Sequence, residues 1–387
     1  MQMHVFSAER NLGAHNAARG DLMERRLQKF RPEMQSAVRS LACRHSRLAD
    51  LTLSFPALLV AMAVPRASFN PEPVIDLVIK GVPLAELAKA ADIPFWMRRL
   101  IPSSFSGVIP KLPDNHEFSR RIVNHLPRTA KLAPIWLAAV ANAVAWADEP
   151  FAIWMAAHVT QPRKLKRRRR RCRERDHLRL LCLWAWFSCR PDTHAHRLIE
   201  TPWAPSMQLA AAISAASAWQ TAVALYLELG DETIADLWTQ PESVDGYEFV
   251  PLRSFAEVSE EARVMRNCVQ TYGYSLVHNH SRLWSIRKDG QRVATLEIGP
   301  CRGDRLLSVY ELKSIGNKDV PIEVAWAVRR WLHMHDLPGI NTKPFAWDAA
   351  PLNRAAWIAM WKPYWIAKRR IPAWLPLNPS RYALEAL

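Results

Sequence analysis

The segment that begins at Ser254 constrains the fold most, because it predicts a helix that leads into a β-hairpin. Glu257 follows Ser254 at the spacing at which a hydroxyl and a carboxylate satisfy the first backbone amides of a helix. A second helical stretch is predicted over Glu260–Tyr272, since apolar residues recur there on one face. These apolar residues are Ala262, Met265, Val269 and Tyr272.

A three-stranded antiparallel meander is predicted to follow. Strands are indicated by runs of β-branched and aromatic residues, and Asp289-Gly290 supplies the positive φ angles of a tight turn. A closing helix is expected from about Pro321 to His335, since proline favours the first turn of a helix. The predicted strands are Leu283–Lys288, Arg292–Ile298 and Leu306–Lys313, with Ile286, Leu296 and Val328 contributing to the core.

The order of residues in this region resembles the PcfJ-like family, proteins found with conjugative plasmids and other mobile elements. The resemblance covers about residues 250–335. Asn267, Ala262 and Glu311 depart from it, where such proteins usually carry His, Gly and Gln. No reaction is firmly attached to the family, so the resemblance implies a mobile-element setting alone. The matching features are Leu252, Ser254, Glu261, Met265, Cys268, Val269, Tyr272, Trp284–Arg287, Ala294–Ile298, Asn317 and Trp331.

Composition predicts an α+β protein that is predominantly α-helical and works in the cytoplasm. Glycine is scarce, with 12 among 387 residues, and the six cysteines form no C-x-x-C pair. The apolar stretches Leu58–Val64 and Ile135–Ala147 are shorter than the roughly 18–20 residues that span a bilayer, so no membrane role is expected. No cofactor or metal is expected either. The predicted regions are helical 1–160, basic 161–176, helical 177–245, PcfJ-like α+β 246–340 and a Trp- and Pro-rich tail 341–387.

The basic run Arg163–Arg175 holds ten Lys or Arg against one Glu, a net charge of +9 within a chain of +16. Such dense charge must stay solvated or be neutralised by a polyanion, and nucleic acid is the obvious candidate. A solvated linker and the exposed face of a long helix are the alternatives. The residues expected to contact phosphates are Arg163, Lys164, Lys166, Arg167, Arg168, Arg169, Arg170, Arg171 and Arg173.

Two further patterns are typical of nucleic-acid binding, but each can also arise from ordinary packing within the fold. The spacing over Val74–Leu100 is similar to that of a helix-turn-helix, but Asp92 stands where a turn glycine is common and any two packed helices produce the same pattern. In the tail, Trp residues alternate with Lys and Arg, an arrangement that can stack single-stranded bases. An aromatic stripe at helical spacing favours packing against the meander instead, as a lid on the C-terminal domain. The stripe is Trp357, Trp361, Tyr364 and Trp365.

The enzyme alternative places a pocket where the Cys268 helix meets the strands. Cys268 and nearby histidines are residue types of zinc sites and of Cys-His nucleophiles, but their spacing gives weak support, and a buried structural Cys268 is favoured. Arg287 and Glu297 have the alternative role of a cross-strand ion pair, and Asn317 that of a turn residue. The candidate catalytic residues are Cys268, Tyr272, Arg287, Glu297 and Asn317.

The sequence thus leaves three functions open. The favoured one is a nucleic-acid-binding accessory protein of mobile-element or plasmid biology that uses the basic run. The first alternative is a nucleic-acid-processing hydrolase or transferase with its pocket around Cys268. The second is a protein-interaction scaffold that docks through the Trp-rich tail.

Overall fold

The structure, a computed structural model, describes residues 21–160, 171–300, 307–335 and 354–371, and the side chains of 171–177 and 354 lie outside that description. The chain is predominantly helical with one antiparallel sheet, which confirms the predicted α+β class. It divides into two compact units, one formed by residues 1–186 and 203–212 and the other by 187–202 and 213–387. Two of the three boundaries fall inside long helices, and the third, between residues 202 and 203, lies in a connecting segment.

The first unit is helical. Residues 21–27 are helical, and short 3-10 turns lie at Phe95–Arg99, Pro102–Ser104 and Val123–His125. The helices are α1 (Pro32–Ala42), α2 (Ser46–Ser54), α3 (Pro56–Ala63), α4 (Glu72–Lys80), α5 (Leu84–Ala90), α6 (His116–Ile122), α7 (Ala133–Trp146), α8 (Glu149–His158) and the first part of α9 (Arg171–Ser188).

The helix-turn-helix pattern has no second helix. After α5 the chain turns at Asp92, which has a φ of 51°, and Phe95–Arg99 forms a 3-10 turn instead. Trp96 and Met97 of that turn are buried. A recognition helix must present side chains to a groove, so this segment does not have the shape that the pattern requires.

The second unit contains the sheet and the remaining helices. Two helices precede the sheet, and α14 follows it with the boundaries expected for the closing helix. The helices are α10 (His194–Arg197), α11 (Leu209–Leu229, from residue 213 onward in this unit), α12 (Phe255–Met265), α13 (Gly273–Val277), α14 (Ile322–Met334) and α15 (Arg354–Lys368).

The sheet has five strands in the order β1-β2-β3-β4-β5, all antiparallel, rather than the three predicted. Pro251 hides the strand signal of β2, since proline cannot donate to a ladder. It is accommodated because the two-residue β1 pairs only with Tyr247 and Glu248, leaving that edge of β2 open at Pro251. The strands are β1 (Ser243–Val244), β2 (Tyr247–Leu252), β3 (Arg282–Lys288), β4 (Gln291–Pro300) and β5 (Leu307–Lys313).

One face of the sheet packs against α14. Ile286 and Leu296 are completely buried there together with Val328 of the helix, which confirms the predicted core. Trp331 stacks on Phe249 with ring centroids 4.5 Å apart. The apolar alternation along β3 and β4 therefore faces α14, and the more polar positions face the other side.

The predicted start of α12 is confirmed, but the helix is shorter than the sequence predicted. The Ser254–Glu257 capping box is present, and both residues of the Asp289-Gly290 turn have positive φ angles. The helix predicted to reach Tyr272 ends at Met265, because Arg266 adopts the left-handed conformation with a φ of 50°. A separate 3-10 turn, Val269–Tyr272, then brings its apolar residues back to the same core.

The aromatic stripe of the tail is buried. Trp361 contacts Phe187 and Trp219 with ring centroids 5.8 and 6.3 Å apart, and Tyr364 lies 5.8 Å from Phe187. These ring contacts attach α15 to helical residues of the second unit. The stripe is therefore core, as the packing interpretation predicted, although these partners lie on helices and not on the meander.

Helix α11 is, among the described residues, long and apolar enough to cross a membrane by length and composition alone. This helix is not among the apolar stretches named in the sequence analysis, Leu58–Val64 and Ile135–Ala147. Core helices pass the same test, and Trp219, Val223 and Leu225 of this helix are buried.

Candidate functional site

A small cavity of about 10 Å3, room for about one water molecule, opens on the sheet face opposite α14. Residues from the loop after α12, from strands β3 to β5 and from the turn after β5 surround it. Four of the five candidate catalytic residues meet here. The lining residues are Asn267, Cys268, Val269, Tyr272, Leu283, Thr295, Glu297, Glu311, Lys313 and Asn317.

Arg287 does not line this cavity. It is paired with Arg292 in the sheet, whereas Glu297 is paired with Leu283 at the other end of β3. The Arg287 side chain instead donates from Nε to Ser285 Oγ at 3.4 Å. The predicted cross-strand pair of Arg287 with Glu297 is wrong, since the register separates the two residues along the strands.

The loop that carries Cys268 is tied to the sheet by Asn267. Its Nδ2 donates to Thr295 Oγ1 at 2.9 Å, and its Oδ1 accepts from the amide of Val269 at 3.4 Å. The Thr295 hydroxyl in turn donates to Glu261 Oε1 at 2.7 Å. Asn267 thus positions Cys268, a role that its place in the sequence did not reveal.

Glu261 continues this network beneath the cavity. Its side chain is completely buried, and Oε2 accepts from Arg292 Nε at 2.9 Å. Arg292 also contacts the exposed Glu260 at 3.3 Å. A buried carboxylate needs a cation and hydrogen-bond donors, and Arg292 with Thr295 supplies both.

Two carboxyl groups face each other inside the cavity. Glu297 of β4 and Glu311 of β5 are direct partners in the antiparallel register, which places their side chains within contact range. Burial raises the pKa of Glu297, and the neighbouring Glu311 raises it further. Burial and the like charge of Glu311 thus favour the protonated form of Glu297.

Tyr272 holds Glu311 in place. Its hydroxyl donates to Glu311 Oε2 at 2.7 Å. Burial raises the pKa of Tyr272 well above its ordinary value, and the hydrogen bond to Glu311 adds to this. Tyr272 therefore keeps its proton and acts as a hydrogen-bond donor to Glu311.

Lys313 and Asn317 form the rim. Lys313 Nζ donates to Asp319 Oδ1 at 2.8 Å. The ammonium group of Lys313 is therefore paired with a carboxylate at the rim. Asn317 is exposed and has a φ of 60° at the end of the 3-10 turn Ile315–Asn317. It therefore holds the turn and also faces the cavity.

Cys268 is exposed, which corrects the expectation of a buried structural cysteine. The cause is the early end of α12, after which Val269 turns inward and is 5% exposed while Cys268 lies at the mouth of the cavity. Chemistry at the thiol is therefore sterically possible.

Histidine does not join Cys268 in a metal centre. His278 stacks on Tyr274 with ring centroids 4.2 Å apart, and His280 lies 5.8 Å from both rings. In the part of the chain that the structure describes, no three His, Cys, Asp or Glu side chains come together to hold a metal ion.

The basic run lies outside what the structure describes, since residues 161–170 and the side chains of 171–177 are not included. Helix α9 begins at Arg171 within the run. Its later residues Leu180, Leu183 and Trp184 are buried. The phosphate contacts of the run remain a prediction.

Comparisons of the chain with protein-family models, curated proteins and solved structures found no match. The resemblance to the PcfJ-like family therefore rests on the residues quoted above.

Proposed function

We propose that this protein binds nucleic acid through the basic run Arg163–Arg175, as an accessory protein of mobile-element or plasmid biology. The observation that carries the proposal is the net charge of +9 in thirteen residues. Charges of one sign repel each other, whereas ordinary protein surfaces mix signs. A polyanion removes this repulsion and releases its own counterions on binding.

Helix α9 supports this proposal. It begins within the run and ends at Ser188, and its side chains at Leu180, Leu183 and Trp184 are buried. The end of the run is thus continuous with a helix that is fixed in the core. A phosphate bound to the run would be attached to the folded protein rather than to a loose linker.

Salt dependence tests the proposal. Replacing Arg167–Arg171 with Gln removes up to about five phosphate contacts, so the slope of log affinity against log salt should fall by about 0.7–0.9 per contact. The loss should be similar for unrelated sequences, since phosphate contacts do not read bases. Titrations with labelled single- and double-stranded oligonucleotides at several salt concentrations measure these slopes.

A charge-matched variant is the control. Lys29, Lys80, Lys89, Lys111 and Lys131 are exposed residues of the first unit, and their replacement with Gln removes the same formal charge. This variant should keep most of the wild-type slope. Equal slopes in the two variants, or no binding by the wild type at low salt, would assign the run to a solvated linker.

The second candidate function is a nucleic-acid-processing hydrolase or transferase. It is favoured by the meeting of Cys268, Tyr272, Glu297 and Asn317 at one cavity. In this function Cys268 supplies an accessible nucleophile, and the facing carboxyl groups of Glu297 and Glu311 transfer protons. Tyr272 holds Glu311 through its hydroxyl group, and Asn317 supplies an amide at the cavity wall.

Turnover separates this function from binding alone. Wild type, Cys268→Ala and Glu297→Gln should be incubated with labelled single- and double-stranded oligonucleotides, and their thermal unfolding followed in parallel. A catalytic site predicts loss of product in both variants with folding retained. Activity that survives both changes, or no product from the wild type, argues for a binding protein.

A protein partner that docks through the tail would need other residues than the aromatic stripe. Trp357, Trp361 and Trp365 are buried in the protein's own core. Trp347 and Trp374 lie beyond the described ranges. Copurification of a stoichiometric protein that is lost when these two residues are changed would support the scaffold function.

A further inference from the structure

A second cavity, of about 240 Å3, lies within the first unit. It is formed by the end of α6 and the turn after it, by one side of α8, and by a residue of the segment 203–212. This volume lies slightly below the roughly 300–1,000 Å3 typical of drug-sized ligand sites, so it suits a small ligand. The lining residues are Arg121, His125, Pro150, Ile153, Trp154, Ala157, His158 and Pro205.

Three groups that carry or can carry positive charge meet in this cavity, and none of the described residues that line it is a carboxylate. Burial lowers the pKa of His125, and repulsion from His158 and Arg121 lowers it further. The three side chains are therefore close enough to act on each other. An anion placed among them would replace this repulsion with attraction.

The nearest carboxylate leaves Arg121 largely available. Glu117 Oε2 accepts from Arg120 Nη2 at 3.0 Å, whereas Glu117 Oε1 is 3.9 Å from Arg121 Nη1. Both contacts are exposed, so they contribute little. Glu149, on the neighbouring helix, is held by Asn115 Nδ2 at 2.9 Å.

His158 has one ring nitrogen left for a ligand. Its Nδ1 lies 2.8 Å from the carbonyl oxygen of Trp154, and a carbonyl accepts, so Nδ1 carries the proton. The lone pair of the neutral ring is then on Nε2, which becomes a donor when the ring is protonated.

The rest of the cavity is apolar and rigid. The Trp154 ring stacks on His158 with centroids 4.6 Å apart, and its Nε1 donates to the carbonyl of Met207 at 2.9 Å. Ile153 and Trp154 are 6% and 5% exposed, and Pro150 adds a further apolar surface. An apolar wall beside a cationic corner fits an organic molecule with one anionic group.

We propose that this cavity binds a phosphomonoester, with the phosphate between Arg121, His125 and His158 and the organic part against Pro150 and Ile153. A free mononucleotide and the phosphorylated end of a nucleic-acid strand share this chemistry. The site goes beyond the proposed function, since none of its residues belongs to the basic run.

Calorimetric titration with adenosine 5′-monophosphate, inorganic phosphate and adenosine tests the site. The monophosphate should bind more tightly than inorganic phosphate, and adenosine should bind at least tenfold more weakly than the monophosphate, since charge-assisted hydrogen bonds to phosphate dominate. Arg121→Gln and His158→Gln should each weaken binding of the monophosphate by about tenfold.

Arg99→Gln is the control, because Arg99 is an exposed arginine of the first unit that does not line the cavity. It should bind the monophosphate as wild type does. Histidine NMR titration adds a test without mutation, since bound phosphate should raise the pKa of His125. No binding of the monophosphate, equal loss in Arg99→Gln, or an unchanged His125 titration would overturn the proposal.

Oligonucleotides with a 5′-phosphate or a 5′-hydroxyl group separate the two sources of the phosphomonoester. The comparison uses the protein in which Arg167–Arg171 are Gln, so that the basic run contributes little. Tighter binding of the phosphorylated strand assigns the site to strand ends. Equal binding of the two strands, with the monophosphate still bound, assigns it to free nucleotides. Failure of the basic run and failure of this cavity are thus distinguishable.

Discussion

The hydroxyl group of Tyr272 donates a 2.7 Å hydrogen bond to Glu311 Oε2 and so joins the 3-10 turn after Cys268 to strand β5. The two residues are 39 positions apart in the chain. This bond is part of the cavity wall and fixes one of its two carboxyl groups. Because it links the loop to a strand, it contributes to stability and to the geometry of the site together.

Replacing Tyr272 with Phe should lower the free energy of unfolding by about 1–2 kcal/mol, since a hydrogen bond to a charged group is lost while the ring remains. Urea denaturation followed by circular dichroism measures the change. The midpoint should fall without a change in slope, because the surface exposed on unfolding stays the same.

Tyr310→Phe is the control for this change. The Tyr310 hydroxyl donates to the carbonyl of Pro300 at 2.6 Å on an exposed side chain. Water can replace this bond, so we expect a loss below about 0.5 kcal/mol. A Tyr272→Phe protein as stable as Tyr310→Phe would show that the bond to Glu311 contributes nothing.

Local signals in the sequence predicted local structure well. Ser254 with Glu257 indicated the start of α12, and Asp289-Gly290 indicated the turn between β3 and β4. In both cases the atoms that stabilise the conformation lie within a few residues of each other. Alternation along β4 also identified the buried Leu296, since one face of the strand had to be apolar.

The features that were missed depend on distant partners. Strand β2 pairs with β3 across the whole of α12, and Pro251 obscured it. The end of α12 depends on Asn267, which bonds to Thr295 of β4. In the sequence Glu261 is indistinguishable from a surface carboxylate. Only the folded structure shows that it is buried and paired with Arg292. The sequence therefore named four cavity residues but not the network that positions them.

Removing the partner of a buried charge should be the most costly change in this network. Arg292→Leu leaves the completely buried Glu261 carboxylate with only the Thr295 hydroxyl. We expect a loss of about 3 kcal/mol in unfolding free energy. Glu261→Gln should cost about 1–2 kcal/mol, because Arg292 is 17% exposed and keeps its contact with Glu260. Chemical denaturation of both variants measures this order.

Arg263→Leu is the matched control, since Arg263 contacts Glu260 at 3.9 Å with both side chains exposed. Its effect should stay within about 0.5 kcal/mol. A larger loss in Glu261→Gln than in Arg292→Leu would mean that the carboxylate is not the group that needs its partner.

Glu228 should make stability depend on pH. Burial raises its pKa from 4.5 to about 7, although the amide of Tyr274 donates a hydrogen bond to it. Between these values the folded protein keeps a proton that the unfolded chain has released, so stability should fall as pH rises through this window. The shift corresponds to at most about 3 kcal/mol.

Glu228→Gln removes this titration, so the stability difference between wild type and variant should change with pH between about 4.5 and 7. Urea denaturation at several pH values measures it, and Glu232→Gln, at an exposed position, provides the control. A difference that stays constant across the window would show that Glu228 is ionised at the same pH in both states.

Cys268 should react with thiol reagents in the folded protein. It is exposed at the mouth of the cavity, whereas Cys182 has no exposed surface. Alkylation under native conditions, followed by peptide mass spectrometry, should modify Cys268 at a rate near that of the unfolded chain. Cys182 should be modified only when the protein unfolds, because a reagent cannot reach a packed core.

The same exposure predicts that Cys268→Ser changes the free energy of unfolding by less than about 0.5 kcal/mol, since no core packing is lost. This expectation replaces that of a structural cysteine, for which Ser would lower the melting temperature. Thermal unfolding distinguishes the two. If Cys268 is protected as strongly as Cys182 and Ser destabilises the protein, the thiol belongs to the core and cannot act as a nucleophile. Rapid alkylation with unchanged stability leaves it available for chemistry at the cavity formed with Tyr272 and Glu297.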